Sequence, residues 1–179
     1  MSNKIYTKKG DRGETGTFYG RISKSDQLAI TLGTIDELNS WIGICRYEIQ
    51  ITNNKFTNQT QKELFKIQTN LMTINSILAG SKKYKFTNYE TTHLEKLIDK
   101  LTGELPELKN FIYPLGYLQV ARAVCRRAER EVVSCLGSEV QRFKGAKQIL
   151  KYINRLSDAL FVLARYQNHK NGLKEEIWS

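Results

Sequence analysis

The stretch "ARAVCRRAEREVV" places four arginines, Arg122, Arg126, Arg127 and Arg130, within nine residues, with Glu129 among them. On a helix advancing about 100° per residue, Arg122, Arg126 and Glu129 fall within about 60° of one another, with Arg130 beside them. They lie opposite a Val/Ala stripe. A planar guanidinium offers paired N–H donors that match phosphate oxygens, so such a ridge suits a polyanionic ligand. The same spacing also builds a solvated face, because Arg126 and Arg130 are i,i+4 neighbours and Glu129 can pair on either side.

Two further stretches carry polar groups at helical spacing. In "YINRLSDALFVLAR", Asn154, Asp158, Phe161 and Arg165 recur at steps of four, three and four, and are predicted to face away from the core. In "GTIDELNSWIG", Asp36 and Glu37 stand near the start of an apolar run, where they serve the helix dipole or pair with a fourth-helix arginine.

The segment Thr7–Lys24, "TKKGDRGETGTFYGRISK", has another composition. Its glycines let backbone N–H groups converge on an anion, its threonines donate, and Lys8, Lys9 and Lys24 supply charge. It is not a Walker A loop, since Gly10 and Gly13 are too close and no Gly-Lys-Ser/Thr follows. G-x-G-x-x-G in a βαβ unit is absent too.

The elements that must hold these groups read as helices. Apolar steps of three and four run through Leu32, Ile35, Leu38, Ile42, Cys45 and Ile49, then Leu64, Ile67, Leu71, Ile74 and Leu78. A third stripe uses Leu94, Leu97, Ile98 and Leu101. The fourth uses Val120, Val124, Ala128, Val132 and Cys135, and the fifth Ile149, Ile153, Leu156, Leu160 and Leu163. With no convincing period-2 strand, the chain is predicted to be all-α, a five-helix up-and-down bundle. One domain is expected over residues 1–179: a flexible N-terminal loop (1–26), the bundle (27–168) and a tail (169–179). "NNKFTNQTQ" and "GSKKYKFTN" read as polar loops.

A formal charge of +10 points to anionic ligands. Cys45, Cys125 and Cys135 lack CxxC spacing and read as reduced, buried thiols. His93 and His169 form no zinc pattern, and no run reaches the length of a membrane span. The start "MSNKIYTKKG" has no apolar h-region, so a cytoplasmic protein is expected.

Taken together and in order, "TKKGDRGETGTFYGRISK", "GTIDELNSWIG", "ARAVCRRAER" and "YINRLSDALFVLAR" resemble the ATP:cob(I)alamin (corrinoid) adenosyltransferases of the propanediol-utilisation type. The resemblance runs over nearly the whole chain. It implies a ferritin-like five-helix bundle that assembles as a homotrimer, with ATP at subunit interfaces and the corrinoid beside it. It implies transfer of the 5′-deoxyadenosyl group of ATP to cob(I)alamin or a related corrinoid, with release of triphosphate. The nucleotide contacts map onto Thr7, Lys8, Lys9, Gly10, Asp11, Thr15, Gly16 and Lys24, and onto Arg126, Arg127, Ala128, Glu129, Arg130 and Asn154. Asp36 and Arg122 would pair across the subunit boundary, and Phe111 of "FIYPLG" would close the lower face of the corrin ring. With Arg126, these make up the expected catalytic set. Mg2+ would ride on the ATP phosphates rather than on protein ligands, and a reductase would supply Co(I). No nucleic acid or membrane partner is expected. The competing readings are a catalytically silent ATP- or corrinoid-binding relative and a basic helical nucleic-acid-binding module.

Overall fold

Apolar periodicity broken by prolines only at Pro106 and Pro114 leaves long stretches free to coil. A computed structural model describes residues 4–51, 57–137 and 145–178. It contains α1 (Gln27–Ile51), α2 (Thr57–Leu78), α3 (Asn88–Thr102), α4 (Tyr117–Leu136) and α5 (Ala146–Lys170), preceded by strands β1 (Glu14–Thr17) and β2 (Gly20–Ser23). The expected helices are thus present, and α5 runs two residues past the predicted bundle limit of 168.

Each helix buries one face. α1 packs on α2 and α4, α4 on α5, and α5 on α3. The ring closes through polar contacts: His93 Nε2 lies 2.6 Å from Glu63 Oε2 between α3 and α2, and Asn70 Nδ2 donates to the Tyr152 hydroxyl at 3.1 Å between α2 and α5. Ile35, Leu38 and Ile42 of α1 meet Leu64, Leu71 and Ile74 of α2 and Ile149, Ile153 and Leu156 of α5 in a core without solvent access. Each such side chain contributes about 1.5–3 kcal/mol. Tyr152 stands among them, edge-on to Phe86 with centroids 5.1 Å apart. Thr87 starts α3 with a capping box, in which the Glu90 carboxylate accepts from the Thr87 N–H at 3.1 Å.

Four expectations change. The buried apolar face of α4 is Leu118, Ala121, Val124, Cys125, Ala128, Val132 and Leu136, while Val120 is exposed and Cys135 half-buried. This rotates the core face by about 50° toward the arginine ridge, which flanks the core instead of opposing it. The N-terminal segment is no featureless loop, because β1 and β2 pair antiparallel from Glu14↔Ser23 to Thr17↔Gly20 around a Phe18–Tyr19 turn. α2 begins at Thr57, so "TNQTQ" is helical where a loop was expected. The "NNKF" before it lies outside the described residues. The tail is also structured: Ile177 bridges antiparallel to Ile112.

Candidate functional site

The ridge on α4 divides into groups that are engaged and one that is not. Arg127 ion-pairs with Glu37 of α1, the acid–arginine link between first and fourth helices expected of this region. Arg122 Nε donates to Gln119 Oε1 at 2.7 Å, and its guanidinium lies 6.0 Å from the Phe161 ring centroid. Arg130 Nη1 donates to the Arg126 carbonyl at 3.0 Å. The exposed guanidinium of Arg126 makes no hydrogen bond or ion pair among the described residues. Ala128 is fully buried, so it packs the helix against the core and cannot present its methyl to a ligand.

α5 supplies one partner to this ridge. Asn154 Nδ2 donates to Glu129 Oε1 at 2.7 Å, fixing both side chains beside Arg126. The rest of the expected α5 stripe is used differently. Asp158 is taken by Arg155, 3.1 Å away, and Arg155 also reaches Glu95 of α3. Arg165 does not face solvent. It is 4% exposed and bonds Glu175 of the tail and the Pro106 carbonyl, because the segments after α3 and α5 fold over that end of α5. Its burial depends on residues remote in sequence, which helical spacing could not reveal.

Asp36 is exposed on α1, and its carboxylate has no partner among the described residues. The Asp36–Arg122 pair is therefore not made within one chain.

The hairpin is organised by its own cations. Lys24 Nζ donates to the Gly10 carbonyl at 3.1 Å, and the Lys24 N–H to the Gly13 carbonyl at 2.8 Å. Arg21 pairs with Glu14 at 2.9 Å and also bonds the Lys9 carbonyl. Thr7, Lys8, Lys9 and Asp11 are exposed, and Lys8 adopts φ +59°. Gly16 is exposed in β1 and Thr15 half-buried. The hairpin tip is anchored: Phe18 N–H donates to the Ala79 carbonyl at 2.9 Å, and the Tyr19 ring lies over Gly80. A Cβ on Gly80 would come within 2.8 Å of that ring, and its φ of +98° already favours glycine. The exit of the hairpin reaches α4, since Gln27 Nε2 donates to Glu131 Oε2 at 2.7 Å, one residue from Arg130. Among the described residues, no hydrogen bond or ion pair joins Thr7–Lys24 to Arg126, Arg130 or Asn154.

Phe111 stands toward the opposite end of the bundle, before α4 begins. Its ring is 79% exposed and meets Trp178 edge-on at 6.3 Å. α4 begins at Tyr117, so the ridge from Arg122 to Arg130 lies about 8–20 Å along the helix axis from the end that follows Phe111. The tail that holds Phe111 was not foreseen as structural. The only hint was its closing "IWS", apolar and aromatic after a charged run.

The thiols supply no nucleophile. Burial pushes Cys45 up to about 12, and it raises Cys125 and Cys135 as well. Among the described residues, no group of three or more His, Cys, Asp and Glu side chains could hold a metal ion, and no helix is long and apolar enough to cross a membrane. What remains is a set of fixed cations and amide groups suited to an extended anion.

Comparison with known proteins agrees with that chemistry. The family model described as cobalamin adenosyltransferase matches residues 5–167. The corrinoid adenosyltransferase of Bacillus subtilis (strain 168) is 40% identical over 178 residues, covering 95% of this chain and 89% of that protein. The corrinoid adenosyltransferase MMAB of Homo sapiens is 41% identical over 98% of this chain and 73% of its own length. A variant of the PduO-type ATP:corrinoid adenosyltransferase from Lactobacillus reuteri, complexed with cobalamin and ATP, superposes with a TM-score of 0.83 at 34% identity, covering 98% of this chain and 99% of that one.

Proposed function

The chain belongs to the cobalamin adenosyltransferase family, and on that basis we propose that it transfers the 5′-deoxyadenosyl group of ATP to the cobalt of a cob(I)alamin-type corrinoid. The lone pair of Co(I) attacks C5′ of the ribose, the C5′–O bond breaks, and its electron pair leaves with triphosphate. No general base is required, because the nucleophile carries no proton. The burden on the protein is to hold the reactants in line and to stabilise charge gathering on three phosphates.

The observation that carries this reading is Arg126: an exposed guanidinium, unpartnered among the described residues, one turn from Arg130 and beside the fixed Glu129–Asn154 pair. Arg126 and Arg130 take the phosphates, and Asn154 and Glu129 fix the nucleoside side of ATP. Thr7, Lys8, Lys9, Gly10, Asp11, Thr15, Gly16 and Lys24 form the second half of the nucleotide site. Arg127 serves at a distance through Glu37, and Ala128 by packing. Mg2+ suits phosphate oxygens and water here, and it would neutralise triphosphate charge without a protein ligand cluster. Phe111 lies under the corrin and disfavours the axial ligand of cob(II)alamin, so that a separate reductase can deliver one electron.

Two features favour completion of the site by a second copy, in a homotrimer: among the described residues the Asp36 carboxylate lacks a partner, and the hairpin cations do not bond the ridge. Asp36 of one copy would then meet Arg122 of the next. The whole chain acts as one catalytic domain, and its free cysteines fit a reducing compartment such as the cytoplasm.

The test is anaerobic mixing of the protein with ATP, Mg2+ and chemically reduced cob(I)alamin. Adenosylcobalamin should appear in the visible spectrum together with an equal amount of inorganic triphosphate; absence of both overturns the proposal.

A further inference from the structure

Arg165 is a buried cation that the reaction does not call for. A guanidinium removed from water is costly unless its donors are matched, and here those of Nε and Nη2 are. Nε and Nη2 grip the Glu175 carboxylate at 2.5 and 3.0 Å, and Nη2 also donates to the Pro106 carbonyl at 2.9 Å. The two partners stand on different segments. Pro106 opens the stretch that leads to α4, and Glu175 lies in the tail beyond α5.

Those two segments are the ones that hold Phe111. Just past Glu175, Tyr113 N–H donates to the Glu176 carbonyl at 2.9 Å, Ile177 bridges to Ile112, and Trp178 N–H donates to the Phe111 carbonyl at 2.9 Å. The Trp178 and Phe111 rings then meet edge-on. Phe111 itself is largely exposed, so contacts with the core do little to fix it. Its position follows from the short antiparallel pairing, which is fastened to the bundle at Arg165.

We propose that Arg165 and Glu175 are positioning residues for the corrinoid half of the reaction: by clasping the tail to the Pro106–Tyr113 stretch they hold Phe111 in place. This rests on the assignment of Phe111 to the corrinoid. Among the described residues the clasp makes no hydrogen bond or ion pair with the arginine ridge or the hairpin, so its loss separates the two substrates kinetically. Misplacing a contact group by about 1 Å can cost up to about 10²-fold.

Glu175→Gln is the decisive variant, since it keeps the side-chain shape, lies outside the helices and removes the charge that Arg165 requires. Arg165→Lys tests the fork in turn. In Glu175→Gln, amide exchange at Tyr113 and Trp178 should quicken, the KM for the corrinoid should rise on the order of 10-fold, and the KM for ATP should hold. The fraction of bound cob(II)alamin lacking its axial ligand, read by electron paramagnetic resonance, should fall. Faster exchange with an unchanged corrinoid KM and cobalt spectrum overturns the proposal, as does unchanged exchange. An equal rise in both KM values with loss of helical circular dichroism also overturns it, because the pair would then be structural only. An inactive wild-type protein would instead sink the functional reading, while the exchange experiment still reports on the clasp.

Discussion

Arg126 and Arg130 are one helical turn apart on the same face, yet they are not equivalent. Arg130 is tethered to the Arg126 carbonyl, whereas the Arg126 guanidinium bonds nothing among the described residues and keeps its donors for a ligand. Arg126→Ala is therefore expected to lower kcat/KM for ATP by about 10²–10³-fold, the loss seen when one charge-stabilising donor is removed, with helical circular dichroism unchanged. Arg130→Ala should cost less in the same steady-state assay. At Cys45, burial raises the thiol from 9.0 to about 12, so the folded chain holds that proton more tightly than the unfolded one. The resulting stability is fully present below pH 9.0 and is lost as pH rises toward 12. Denaturant midpoints should accordingly fall across that alkaline window, and less steeply in Cys45→Ala. The placement of Arg126 and Asn154 on exposed helix faces was legible in the helical spacing. The fate of Arg165 was not, since Glu175 and Pro106 decide it through the folded chain.

At the level of elements, long helices announced themselves through steps of three and four, whereas the hairpin did not. Strands of four residues that are mostly exposed carry no usable alternation. On α4 the steps of three and four run through Val120 and Cys135 as well as Ala128. Close packing of α4 on its neighbours buries Ala128 as expected, but takes Ala121 and Cys125 in place of Val120 and Cys135. The hairpin depends on one spot, the Gly80 surface beneath Tyr19. Gly80→Ala adds a methyl where the ring lies and places a Cβ at φ +98°. The backbone strain alone is worth about 1–2 kcal/mol, which corresponds to a Tm lowered by about 2–8 °C in a chain of this size. The KM for ATP should rise in parallel, since the anchored tip is displaced. An unchanged KM would detach the hairpin tip from nucleotide binding.

Over the whole molecule, positive charge gathers at the hairpin end. Lys8, Lys9, Arg12 and Lys24 are joined there by Lys82, Lys83 and Lys85, which follow the Ala79–Gly80 anchor, and all are exposed. Lys147 at the start of α5 lies close by, as Gly145 abuts the Phe86 carbonyl. Such a field draws in a polyanion and is screened over about 10 Å at 0.1 M salt. The KM for ATP should therefore climb with ionic strength more steeply than the KM for the corrinoid, and Lys82→Gln/Lys85→Gln should flatten that slope without abolishing turnover. The separation of hairpin and ridge within one chain has a genetic consequence as well. If each active centre borrows its hairpin from one copy and its ridge from the next, two differently crippled chains can complement each other. Lys24→Ala and Arg126→Ala, each severely impaired alone, should regain part of the activity when unfolded and refolded as a mixture, because some centres then unite an intact hairpin with an intact ridge. Centres confined to single chains would recover nothing.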